Sequence, residues 1–201
     1  MVARRKDDFY QTPQFATMEL LDRISVLGSR VLEPCAGDGA IANVLRPQAR
    51  DVVTADLSHR RRADYHADAR LPQLYEEVGR DHGRIGWIIT NPPFSCAFDI
   101  LREALQHAEL GVALLLRLSF LEPTLDRGEW LAAHPPQRMI VTPRISFTGK
   151  GTDSVTTAWM IWPGTLVGAA GVPMLRTCPP IEVLAKARVP SEQATLVDVP
   201  V

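Results

Sequence analysis

Apolar residues alternate between two rhythms along this chain. Short continuous runs of strand length occur at Val31-Leu32, Val52 to Ala55, Arg84 to Thr90, Val112 to Leu116, Arg138 to Val141 and Val155 to Trp162. Between them lie stretches with helical spacing. Phe15, Met18, Leu20, Leu21, Ile24 and Leu27 form one stripe, opened by Thr12-Pro13 as cap and first turn and closed by Gly28. Phe98, Leu101, Ala104 and Leu105 form another, with Gly111 expected just past its end. The run at Val112 to Leu116 is the most apolar and reads as a central strand buried on both faces. Tyr65 to Ala67 gives a weaker strand signal. This alternation is that of a doubly wound α/β domain with a mostly parallel sheet. It fills residues 1–163. After Trp162 there is no Phe, Tyr or Trp and six prolines fall in the last 39 residues, so 164–201 reads as a tail without a fold of its own.

Composition narrows the possibilities. The chain has 201 residues, 46% hydrophobic and 22% charged, which suits one soluble, well-cored domain. Net charge is −1, so any nucleic-acid contact must come from a local basic patch rather than a global field. The three cysteines, Cys35, Cys96 and Cys178, show no CxxC spacing, and the five histidines show no ligand spacing. Neither a disulfide framework nor a metal site is expected, and the usage fits a reducing cytosol. The uncharged stretch from Ser154 to Leu175 is broken by prolines and glycines, so no membrane span is expected.

Two segments carry chemistry. In Val31-Leu32-Glu33-Pro34-Cys35-Ala36-Gly37-Asp38-Gly39 a strand runs into a glycine turn ahead of a helix, the place where open α/β sheets bind ligands. Gly37 and Gly39 admit positive φ and close approach of the backbone to a flat ligand. The third glycine of a dinucleotide fingerprint is missing. Asp56, ending the next strand, stands where an acid grips ribose hydroxyls, or serves as a turn residue. Asp68 is the next acid at that rim. The second segment is Trp87 to Phe94, in which an apolar strand delivers Asn91 to the sheet edge before Pro92 and Pro93 stiffen the backbone. The Asn91 side-chain oxygen and a backbone carbonyl beside the Phe94 ring suit an exocyclic amine on a planar ring.

Taken together, the AGDG turn, the acid closing the next strand and the NPPF after a later strand resemble the S-adenosylmethionine-dependent amino methyltransferases. The chain is similar in particular to small phage and prophage DNA N6-adenine methyltransferases. DDFYQTPQFATMEL resembles their amino-terminal cofactor motif and RISFTGKGTDSVTTAWMIWP their carboxyl-terminal one, so the likeness covers residues 7 to 163. It implies a Rossmann-like methyltransferase fold, with a seven-stranded sheet whose last strand is antiparallel, and S-adenosylmethionine as cofactor. By the same resemblance Tyr10, Thr12 and Pro13 close over the methionine end, and Glu33, Ala36, Gly37 and Gly39 form the loop beneath the cofactor. Asp56 holds the ribose and Asp68 the adenine side. Asn91, Pro92, Pro93 and Phe94 form the catalytic tetrapeptide, and Phe147 is an aromatic near the flipped base.

The substrate is then DNA, either single-stranded or with the target base extruded, since a stacked duplex hides N6. Arg144 and Lys150 flank Phe147 and are candidate phosphate contacts, with the His59 to Arg62 run as a further one. The expected specificity is low or very short in sequence. An N-methyltransferase acting on RNA or on a protein glutamine fits the same tetrapeptide. An inactive nucleic-acid-binding module is the alternative outside the enzymes.

Overall fold

A computed structural model describes residues 11–143, 156–167, 171–175 and 179–184. Seven strands form one sheet: β1 (Arg30–Glu33), β2 (Asp51–Thr54), β3 (Ile85–Thr90), β4 (Ala108–Arg117), β5 (Arg138–Val141), β6 (Thr157–Pro163) and β7 (Ile181–Val183). Their order is β2-β1-β3-β4-β6-β5-β7. Only β6 opposes its neighbours; the other pairings, including β5 with β7, are parallel. β6 is the last strand legible in the sequence. The weak signal at 65–67 yields a single bridge between Ala55 and Tyr65, and β7 makes the seventh strand instead.

Helices cover both faces. α1 (Gln14–Leu21) and α2 (Ala40–Leu45) pack on one side, α3 (Pro72–His82), α4 (Ala97–His107) and α5 (Leu125–Ala133) on the other. Alternation along the central strands explains this. In β6, Ala158, Met160 and Trp162 enter one core cluster, while Trp159 and Ile161 enter the other. In α4, the buried residues Ala97, Ile100, Leu101 and Ala104 repeat at helical spacing. Buried indoles find backbone partners: Trp87 Nε1 donates to Ser25 O at 3.0 Å and Trp159 Nε1 to Ala16 O at 2.7 Å.

Three expectations change. α1 ends at Leu21, seven residues before Gly28, which instead turns the chain into β1 with φ 71°. Pro13, not Thr12, occupies its cap position, with no side-chain cap. Gly111 lies inside β4 rather than past a helix, where an added Cβ would come within 2.5 Å of the Trp87 ring.

β1 has β2 on one side and β3 on the other, so the chain changes direction between β1 and β3. That switch point opens a crevice at the carboxyl ends of the strands. The loop after β1 and the turn after β3 both emerge there.

Candidate active site

The crevice has a volume of about 310 Å³. It gathers Thr12, Glu33, Ala36, Gly37, Asp56, Asn91, Pro92, Pro93 and Phe94, which are far apart in sequence. Gln11, Asp38, Ser58 and Arg61 complete much of the rim.

The loop after β1 is pinned by the end of β2. Ala36 N–H donates to Ala55 O at 2.8 Å, and Ala55 N–H to Glu33 O at 2.8 Å. Gly37 and Gly39 adopt φ 55° and 75°, a region open to glycine. At Gly39 a Cβ would meet no protein atom within 4 Å, so the requirement there is conformational rather than one of space. Asp56 fastens the turn from the other side. Its Oδ2 accepts Gly37 N–H and its Oδ1 accepts Ser58 N–H, both at 2.8 Å. Asp56 is therefore a turn residue and a crevice-lining acid at once, because each carboxylate oxygen can accept a second bond.

Glu33 is almost wholly buried, and its Oε2 accepts Ala42 N–H at 2.8 Å, capping the first turn of α2 from the end of β1. Burial pushes its carboxyl well above the usual carboxylate range; the Ala42 bond and Arg46 oppose that rise, and Asp56 adds to it. Burial also pushes the Cys35 and Cys96 thiols up, so neither supplies a thiolate at neutral pH.

Asn91 Nδ2 donates to Thr12 Oγ1 at 3.1 Å, joining the segment before α1 to the turn after β3 across 79 residues. In that bond the amide nitrogen is the donor; Oδ1 is the acceptor atom of this side chain. The Pro93 carbonyl accepts Cys96 N–H at 3.1 Å in the turn into α4, whereas no described donor reaches the Pro92 carbonyl. Phe94 lines the crevice, packs on the core, and carries the Arg117 guanidinium 4.3 Å from its ring centroid.

Other residues stand apart. Asp68 does not line the crevice. Both its oxygens are taken by Arg70, which holds its carboxyl below the usual range. Pro13 and Gly39 shape neighbouring backbone without lining the crevice. Tyr10, Arg144, Phe147 and Lys150 lie outside the described residues. Arg61 forms an ion pair with Asp38 at the rim, which ties part of the basic run to the glycine loop. Sequence reasoning passed over this pair and Arg117. The signal for Arg61 was its run of like charge beyond β2; for Arg117 there was none, because its contact with Phe94 is tertiary. Among the described residues no group of three or more His, Cys, Asp or Glu side chains could hold a metal, and no helix is long and apolar enough to cross a membrane.

No family model and no curated protein matches the sequence. Solved structures match the fold. A modification subunit assigned to a type I restriction enzyme from Vibrio vulnificus aligns with TM-score 0.55 and 15% identity, covering 77% of this chain. A protein assigned as an RNA methyltransferase from Pyrococcus horikoshii aligns with TM-score 0.53 and 18% identity, over 77% of this chain and 87% of its own. The fold is the Rossmann-like one of methyltransferases. The chain spans 44% of the Vibrio subunit. A protein assigned as a hemolysin from Lactococcus lactis aligns at TM-score 0.55 and 14% identity, over 86% of this chain and 94% of its own. At these identities the likeness is one of architecture. Function has to be argued from the site.

Proposed function

We propose that this protein transfers a methyl group from S-adenosylmethionine to the exocyclic N6 amine of adenine in DNA. The observation that carries the reading is the meeting of Asn91-Pro92-Pro93-Phe94 with the Gly37 loop and Asp56 around one crevice. The donor set suits the cofactor: Asp56 offers acceptors for ribose hydroxyls, and the glycine loop offers a backbone surface for a flat, extended molecule. Thr12, Glu33, Ala36 and Gly37 would hold it alongside Asp56. When bound, S-adenosylmethionine supplies a methyl group carried on a positively charged sulfur.

The chain's residues address the weakness of the amine. The N6 lone pair is delocalised into the purine, so the nitrogen is a poor nucleophile. Asn91 Oδ1 and the Pro92 carbonyl accept hydrogen bonds from its two N–H groups and draw them out of the ring plane, which restores the lone pair and offsets the positive charge arriving on nitrogen. Thr12 supports this by fixing which end of the Asn91 amide faces the substrate. Phe94 provides a face for the base, a contact worth roughly 1–3 kcal/mol. Asp68 serves the adenine end of the cofactor in this reading only when its pair with Arg70 opens.

DNA is preferred over RNA and over a protein glutamine because the stretch from Arg144 to Pro163 resembles the phage DNA enzymes. The test is incubation with labelled cofactor and, separately, plasmid DNA, structured RNA and a release-factor protein. Label in DNA adenine is expected; label in RNA or protein alone would overturn the DNA assignment. Asn91→Ala should lower transfer by at least about a hundredfold while cofactor affinity is retained. Full activity in that variant would remove Asn91 from the chemistry.

A further inference from the structure

Arg117 is the last residue of β4, which lies beside β3 in the sheet. Its backbone pairs with Thr157 of β6, so its side chain leaves the sheet at the carboxyl edge where the Asn91 to Phe94 turn also ends. The guanidinium is half-buried over the Phe94 ring. Two other arginines near this edge are committed. Arg61 is paired with Asp38, and Arg70 with Asp68. Arg117 has neither a hydrogen bond nor an ion pair among the described residues; its contact is the ring.

A cation over an aromatic face gains little by itself. Such a contact does orient the guanidinium while leaving its N–H groups unspent, and a planar fork of donors takes phosphate in a two-point grip. Phe94 lines the crevice and Arg117 does not. The guanidinium thus lies against a crevice-lining ring without itself lining the crevice. A nucleotide whose base stacks at Phe94 brings its own sugar and phosphate into the neighbourhood of that ring. We infer that Arg117 binds the backbone phosphate of the nucleotide being methylated, and so selects a nucleic acid over a peptide amide. The inference rests on the methyl-transfer reading above. Arg117 is a substrate-binding residue that touches no reacting atom.

The test uses the full chain and a short oligonucleotide with a single adenine, made with natural linkages or with uncharged methylphosphonates flanking that adenine. Wild type and Arg117→Ala are compared by label transfer, and cofactor affinity is measured by calorimetry. Arg117→Ala should raise KM for the natural strand between about ten- and a hundredfold, with kcat and cofactor affinity little changed. Neutralising the backbone should cost wild type a similar factor and cost Arg117→Ala almost nothing further. Arg117→Lys, with its charge but not its fork, should fall between. Equal losses for Arg117→Ala on both backbones would mean that the guanidinium only props the Phe94 ring, and would overturn the assignment. No loss on the natural strand would overturn it as well. A wild-type protein that methylates no oligonucleotide defeats the nucleic-acid reading itself, and that result is visible before any variant is made.

Discussion

Glu33 sits at the end of β1 with its carboxyl shut away from water and a backbone N–H as partner. A carboxyl whose folded pKa is raised binds its proton more tightly in the native state than in the unfolded one. Its contribution to stability is therefore complete below the unfolded value of about 4.3 and is lost as pH rises through the folded value. Glu33→Gln keeps an acceptor for Ala42 and cannot ionise. Its melting temperature relative to wild type is expected to climb between pH 4 and pH 8, and parallel melting curves across that range would contradict the burial argument. Glu33→Ala strips the α2 cap and should cost roughly 1–2 kcal/mol near pH 4, and less as pH rises through the folded value. Asp56 differs because its oxygens hold Gly37 and Ser58 while facing the crevice. Asp56→Ala is expected to weaken cofactor binding about tenfold or more, measured by calorimetry, with a smaller effect on transfer at saturating cofactor. Unchanged affinity would leave Asp56 as a turn residue alone. At this scale Glu33, Ala36, Gly37, Asp56 and the Asn91 to Phe94 turn were legible as residues of one crevice, because strand ends followed by glycine, acid or Asn-Pro-Pro meet at the carboxyl edge of such a sheet; Gln11 and Ser58 on the same rim were not. The bond between Thr12 and Asn91 was not, since nothing local relates residues 79 apart. Nor was the capture of Asp68, which followed from a neighbour two positions on, Arg70, and not from the strand pattern.

Elements whose apolar residues run continuously were easier to read than those that present a narrow stripe. β3 is buried at all six positions and β4 at most of its length. In contrast α3 buries only Leu74, Tyr75 and Val78 beneath an otherwise polar surface, and α5 follows the 3₁₀ turn Leu118–Leu121 without a side-chain cap to announce it. Gly111 shows why a local rule failed. Glycine after a helix suggests a cap, but here it lets β4 run alongside the Trp87 ring. Gly111→Ala should therefore destabilise the protein by about 1–3 kcal/mol through overpacking, read as a lower urea midpoint with unchanged slope. An unaltered midpoint would show that the indole can yield.

Across the whole molecule, the sheet ends at β7, a three-residue strand that contributes little buried surface. What secures it is charge. Arg23, just past α1 and 4% exposed, donates to both carboxylate oxygens of Glu182 at 2.7 Å and to Glu19 at 2.8 Å. β7 is thereby tied to the face that carries α1, and Leu175 N–H donates to Arg23 O at 2.7 Å as a second tether. Composition, which counts aromatic residues and prolines, gives a tail without a fold of its own; it says nothing of an ion pair that forms across 159 residues. Removing one member of a buried pair leaves the other uncompensated, so Arg23→Met should cost on the order of 3 kcal/mol. Exchanging both partners for apolar residues, Arg23→Met with Glu182→Leu, should recover much of that loss. Hydrogen exchange locates the effect. The Met139 amide, bonded to Pro180 O at 2.8 Å, and the Leu184 amide, bonded to Val141 O at 3.0 Å, should exchange faster in the single variant. If both amides stay as protected as those of β4 while the melting point falls, the ion pair stabilises α1 alone and β7 is held by its backbone ladder.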